Sequence, residues 1–263
     1  MTGQADDLHG VFPFGTVAGR CEPRRVQNAE ALVLGVYPSA LHVRWTHPRY
    51  RVIALAVAPE PWPFWDGEDE ADRVALWREQ VGWRDEWGTA EPAGRVNGSS
   101  GQVVRDRVLK PLGLTLDSIW LTDALPYFLV HRGAKTQGAA MADRYDPFAA
   151  EYGLPVHHLP SRPSPAALIA RARTDEADRM RQELRDSAPP LIITLGDEAL
   201  AVATAIVDGP LPARLSTSDY GTRHQMRTAD GQSVKVLPLV HPGQRSQAWR
   251  SAHEQWMRAA RAS

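Results

Sequence analysis

The chain has 263 residues, with 30 Lys and Arg against 31 Asp and Glu and a formal net charge of −1. That length suits one core in a single domain, 1–263, and the near-zero charge does not mark a nucleic-acid binder, although a locally basic face can coexist with a neutral total. The lone Cys21 excludes an intrachain disulfide and any cluster held by several thiolates; with no apolar run near the ~20 residues of a membrane span and no basic-then-apolar leader, a cytoplasmic location and no membrane partner are expected.

Residues 1–28, rich in Gly, Arg and acids, predict an arm lying over the fold. Ala31-Leu32-Val33-Leu34-Gly35 is a buried-strand pattern that breaks into a loop at Gly35 and Pro38. His47-Pro48 predicts a turn, 51–58 a second strand, and Pro61-Trp62-Pro63-Phe64-Trp65 a proline-braced aromatic loop. From Asp72 to Trp87, Val74, Trp77 and Val81 lie among charges, as on a surface helix. Asn97-Gly98-Ser99-Ser100-Gly101-Gln102 then leads into apolar positions at helical spacing through Leu109, and free N–H groups at such a start suit a phosphate.

A third strand, 118–122, ends at Asp123. Residues 131–163, rich in Gly, Pro and His, predict an irregular insertion; His157-His158 has no third ligand at metal spacing, so no metal is expected. Ser164 to Arg185 predicts one helix with Pro165 just inside its start. A fourth strand, 191–195, precedes Gly196 and a helix, and Arg223–Thr228 with Ser233–Val240 flanks the turn Ala229-Asp230-Gly231-Gln232 as a hairpin. Among the five strand runs 31–35, 51–58, 118–122, 191–195 and 234–240, the first four are short and apolar, and several are followed by helical periodicity. That pattern predicts an α/β class with a parallel sheet covered on both faces.

Leu237-Pro238-Leu239-Val240-His241-Pro242-Gly243 resembles the second catalytic motif of uracil-DNA glycosylases. Upstream, in the same order as in that superfamily, stand Gly35-Val36-Tyr37-Pro38-Ser39 after a strand, the Gly-Ser-Ser-Gly helix start, the strand ending at Asp123, and Leu191 to Gly196. The resemblance implies a three-layer α/β/α sandwich with a mainly parallel central sheet, the site lying at the strands' C-terminal ends. It implies a monomeric DNA-binding enzyme without cofactor, and the single cysteine excludes the four-cysteine iron–sulfur cluster of some bacterial relatives. Catalysis would fall to His241, facing the pyrimidine O2 as it gains negative charge, and to Asp123, at the base-reading position. Gly35, Tyr37, Pro38, Ser39, Phe64 and Asp123 would bind a flipped base. Ser99, Ser100, Gly101, Gly243, Gln244, Arg245 and Ser246 would contact DNA, Arg245 filling the gap that the flipped nucleotide leaves.

Three departures from the family pattern narrow the substrate. Tyr37 stands where relatives carry the water-positioning Asp, and a phenol is a poor base at neutral pH; Asp66, Glu68 and Asn97 are the loop candidates for that work. Ser39 replaces a bulky Tyr, so the gate against C5 substituents is open. Asp123 replaces Asn, and a carboxyl that accepts from an amino group while sharing a proton with N3 favours cytosine over uracil. The expected activity is excision of a C5-modified cytosine, hydroxymethylated or glucosylated, from phage DNA in antiviral defence, leaving an abasic site. The alternatives are uracil removal in base-excision repair, an inactive DNA-binding module, and a hydrolase of free nucleosides.

Overall fold

The computed structural model describes residues 10–262, so residues 1–9 of the expected arm lie outside it. Six strands form the central sheet in the order β5-β1-β6-β9-β8-β7. The four on one side are parallel: β5 (Ile119–Asp123), β1 (Ala31–Gly35), β6 (Leu191–Leu195) and β9 (Ser233–Leu239). The hairpin strand β8 (His224–Thr228) and the short β7 (Val207–Asp208) continue the sheet antiparallel. The expected hairpin from 223 to 240 is therefore present.

Side-chain alternation explains why such short apolar strands sit in the middle of the protein. Leu32, Leu34, Trp120, Ile192 and Val236 point to one face, where they meet Leu168 and Ala172 of α5 (Pro165–Asp175), Met180 and Leu184 of α6 (Ala177–Ser187), and Ala199 and Val202 of α7 (Asp197–Ala203). Ala31, Val33, Leu121, Ile193 and Leu237 point to the other, against Val104 and Val108, which follow α2 (Ser99–Val103), and Trp256 of α8 (Gln247–Ala260). With both faces covered, these strands are apolar at most positions, and β1 and β5 are buried throughout, the polar Thr122 and Asp123 at the end of β5 included. The result is an α/β fold with a mixed, mostly parallel sheet and helices on both faces, compatible with a three-layer sandwich.

Five expectations change, the first being that the helix expected over Asp72 to Trp87 stops at Gln80, with Asp85–Trp87 a separate 3₁₀ turn. The run expected at 51–58 does not join the central sheet; as β3 (Arg51–Pro59) it pairs antiparallel with β2 (Ala40–Thr46), which in turn pairs with β4 (Thr89–Pro92). This second sheet closes over an aromatic core that includes Trp45, Trp77, Trp87, Tyr145 and Phe148, with Trp77 supplied by α1 (Glu70–Gln80). An apolar run states that a strand is buried, not which sheet buries it. The His47-Pro48 turn does occur, between β2 and β3, with reciprocal backbone bonds joining His47 and Tyr50.

The insertion 131–163 is partly helical, with α3 (Gln137–Ala140), a π-turn over 141–145 and α4 (Asp146–Tyr152) burying Met141, Tyr145 and Phe148. The single helix expected from 164 to 185 is two, broken at Glu176. Its start is as expected, Ser164 capping with its hydroxyl ahead of Pro165. Residues 10–28 do more than lie over the fold, since Phe12 and Phe14 are buried in the aromatic core and Arg24 bridges to Leu121 of β5.

Candidate active site

Because β1, β5, β6 and β9 run parallel, their C-terminal ends open onto one edge of the sheet, the usual ligand position in open α/β sheets. A cavity of about 630 Å³ lies there. Gly35 ends β1, Asp123 ends β5, and the residues just past β6 and β9 deliver Glu198 and His241; the last three line the cavity with Tyr37, Ser39, Glu60 and Phe64.

The closed end is built around a missing side chain. A Cβ at Gly35 would collide with Asp123 Oδ1 and come within 2.5 Å of Phe64 Cζ, so only glycine lets carboxyl and ring converge beside β1. Phe64 itself has φ +58°, a left-handed backbone that costs a non-glycine residue roughly 1–3 kcal/mol and persists only where packing enforces it. The proline-braced loop enforces it here: Trp65 N donates to Trp62 O, and the buried Gly101 lets the start of α2 press against the Phe64 and Trp65 carbonyls.

Two acids share this end. Asp123 is buried, and desolvation pushes its carboxyl up to about 8, assisted by Glu183 and opposed by Arg179. Arg179 does not reach the carboxylate. Its guanidinium donates to the Asp123 and Ala124 carbonyls at 2.7 and 3.1 Å and to Thr122 Oγ1, while pairing with Glu176 and Glu183, so it anchors the backbone that carries the acid. Glu60, immediately past β3, is buried and held well above the usual carboxylate range by desolvation and by Asp123. The Ser39 N–H donates to its Oε1 at 2.8 Å, and the Phe64 N–H also favours its charged form. Burial pushes both neighbouring acids toward their protonated forms, so this end can offer both a donor and acceptors to a ligand.

At the rim, His241 keeps one edge open to solvent, yet the protein around it lowers its pKa by desolvation, with Glu198 opposing. Gly243 N donates to His241 Nδ1 at 3.0 Å. Nδ1 is therefore the acceptor, and in the neutral imidazole the proton must sit on Nε2, which becomes the donor available to a ligand. Across the rim, Arg162 Nε donates to Tyr37 Oη at 3.0 Å, Tyr37 Oη lies 2.9 Å from His131 Nε2, and Arg162 also pairs with Glu198 Oε1 at 3.2 Å. Burial raises the Tyr37 phenol above its ordinary range, so its oxygen stays protonated.

Of the residues expected from sequence, Tyr37, Pro38, Ser39, Phe64, Ser100, Asp123 and His241 line this one cavity, and Gly35 shapes it. Ser99 is exposed beside Ser100, Gly243, Gln244, Arg245 and Ser246 form an exposed loop beyond the rim, and Gly101, expected to contact DNA, is instead buried against the Phe64 and Trp65 carbonyls. The three loop candidates for activating water are engaged elsewhere. Asp66 and Glu68 pair with Arg105, and Asn97 is buried with its amide tied to the His42 backbone and to Glu70. None of the three lines the cavity. Glu60, Glu198, His131 and Arg162, which do, were not singled out by sequence; Glu60 follows an apolar strand and Glu198 opens a helix, contexts that carry no spacing signal.

Among the described residues no group of His, Cys, Asp and Glu is placed to hold a metal ion, and no helix is long and apolar enough to cross a membrane. No protein-family model matches the chain, and no curated protein matches it.

Proposed function

We propose that this protein is a monofunctional DNA glycosylase with a uracil-DNA glycosylase-like α/β/α sandwich, which hydrolyses the N-glycosidic bond of a flipped pyrimidine and leaves an abasic site. One observation carries the reading: His241, whose Nδ1 accepts from the Gly243 N–H and leaves Nε2 as its donor, and the buried carboxyl of Asp123 line the same cavity at the strand ends. Breaking the C1′–N1 bond puts negative charge on the base O2, and one preorganised donor at such an oxygen contributes about 2.7–4 kcal/mol. His241 is suited to that place because a neutral donor at Nε2 needs no reorganisation as the charge grows. Phe64 offers the stacking plane, a contact of roughly 1–3 kcal/mol per base.

The base is a cytosine in this proposal. Cytosine presents an acceptor at N3 and an amino donor at C4, which match one retained proton and the remaining carboxylate oxygens of Asp123 and Glu60. Uracil presents the opposite polarity at both positions and would need the carboxyl proton turned toward its O4. The cavity, about 630 Å³, falls in the range of roughly 300–1,000 Å³ that holds drug-sized ligands, more than a bare pyrimidine fills. Ser39, exposed at its wall, leaves the C5 side open. A hydroxymethylated or glucosylated cytosine of phage DNA uses that space, which makes antiviral defence the expected setting.

The test is a set of otherwise identical duplexes bearing uracil, cytosine, hydroxymethylcytosine or its glucosylated form, with the released base identified by mass spectrometry. Release of a modified cytosine, with unmodified cytosine left in place, is expected. Efficient uracil release with both modified forms intact would move the protein to repair, tight DNA binding without any released base would make it a binding module, and turnover confined to free nucleosides would remove DNA from its function.

A further inference from the structure

Hydrolysis needs a group to orient and deprotonate water beneath the sugar, and the motif-one position that would supply it is Tyr37, whose phenol is held protonated. From the geometry we infer that Glu198 supplies this carboxylate, with Arg162 and Tyr37 as the residues that position it; the inference rests on the glycosylase reading above. Glu198 lines the cavity at the rim. Its Oε1 is fixed by Arg162 NH2 at 3.2 Å, and the same guanidinium donates through Nε to Tyr37 Oη, so the side chain at the motif-one position and Glu198 are held by one fork. Its second oxygen, Oε2, accepts no hydrogen bond from the described residues and is free for water.

The neighbourhood of His241 places that oxygen near the reacting bond. Gly196, at φ +99° between β6 and α7, has no side chain to separate the two groups, and a Cβ there would stand 3.4 Å from His241 Cβ and 3.8 Å from Glu198 Oε2. Glu198 is also the charge that acts on the imidazole. A base whose O2 meets His241 therefore has its glycosidic bond beside Glu198, not beside Glu60, whose Oε1 is held by the Ser39 N–H next to Asp123 and Phe64.

The step balances with water alone. The C1′–N1 pair leaves with the base, whose developing charge sits opposite His241. The carboxylate stabilises the sugar cation, a water oxygen bonds C1′, and one water proton passes to Glu198 and from there to solvent, while the departed base takes up a proton in turn.

The experiment measures single-turnover base release on whichever of the four duplexes the wild type cleaves fastest. Glu198→Gln is expected to slow release at least ~100-fold, the lower end of what a positioned acid or base contributes, with the dissociation constant for the same duplex changed by less than about threefold. Added formate, against chloride at equal ionic strength, should restore part of the rate to Glu198→Ala and none to the wild type, a rescue that a merely structural role would not show and that requires folded protein. Release by Glu198→Gln at the wild-type rate would overturn this role and leave the glycosylase reading standing. Formate rescue of Glu60→Ala in place of Glu198→Ala would transfer the role to the other carboxylate. Absence of released base from every duplex with the wild type would sink both.

Discussion

The two ends of the cavity treat charge in opposite ways. At the closed end, Asp123 and Glu60 are buried, Arg179 reaches the Asp123 and Ala124 carbonyls and not the Asp123 carboxyl, and both acids are pushed toward their neutral forms. At the rim, Glu198 is paired with Arg162, His241 has a solvent edge, and Tyr37 sits within a donor network. A dry end holding a proton can read a neutral base by its donors and acceptors, because a mismatch there leaves a buried group unpaired. A rim with fixed dipoles and an ion pair can meet charges that exist only while the bond breaks. In the proposed glycosylase, recognition and chemistry are therefore separated by depth, and mutations at the two ends should separate the two measurements.

The largest effect is expected at the rim. On the proposed mechanism His241→Ala removes the donor at the developing oxyanion, so single-turnover base release should fall about 10²- to 10³-fold, while affinity for the uncleaved duplex stays within a few-fold. Equal losses in rate and affinity would erase the division by depth, since they would make His241 a ground-state contact.

The closed end is sharpened by pH. A folded carboxyl that holds its proton up to about 8, against about 4 unfolded, makes the native state bind more protons across that window. Its contribution to stability is therefore fully present below the unfolded value and is lost as pH rises toward 8, a change on the order of a few kcal/mol. His42, lowered to about 4 by burial, and His241, also lowered, act in the opposite sense and cost stability as pH falls below about 6.5. On going from pH 5 to pH 8 in urea denaturation, the wild type should lose more stability, or gain less, than Asp123→Asn. In kcat/KM the wild type should lose activity above about pH 8, where Asp123 gives up its proton, and Asp123→Asn should lack that alkaline limb while shifting preference toward uracil. An unchanged limb and an unchanged preference would take Asp123 out of base reading.

These depths were unequally legible in the sequence. Gly35, Asp123 and His241 stand at the ends of apolar strands, and a parallel sheet brings such ends together whatever else the chain does. Phe64 was visible as part of a proline-braced aromatic loop, but not its left-handed backbone. Glu60 was hidden because 51–58 read as one more strand of the main sheet; only its pairing with β2 carries Glu60 back over Ser39. The strand β2 itself was missed since Ala40 to Thr46 mixes His42 and Arg44 into a short run right after Pro38. Glu198 and Arg162 lie in separate elements, and their pairing is a product of packing that neither local sequence encodes. The break at Glu176 has the same origin, because the helical pattern runs through it while its carboxylate is drawn to Arg20 and Arg179.

The smallest effect is expected outside the cavity, where Arg245 is exposed in the loop between His241 and α8. If that loop enters duplex DNA, the Arg245 stem fills the space left by the flipped nucleotide and its head neutralises a phosphate. Arg245→Ala should then weaken duplex binding several-fold and reduce the dependence of binding on salt by about one unit of slope, as the loss of one phosphate contact does. Cleavage of a single-stranded substrate, which has no stack to refill, should change little, and neither the pH limb of Asp123 nor the chemical rate limited by His241 should move. Equal loss on single and double strands would mean that the loop grips phosphate without wedging, and would assign base extrusion to the aromatic loop around Phe64.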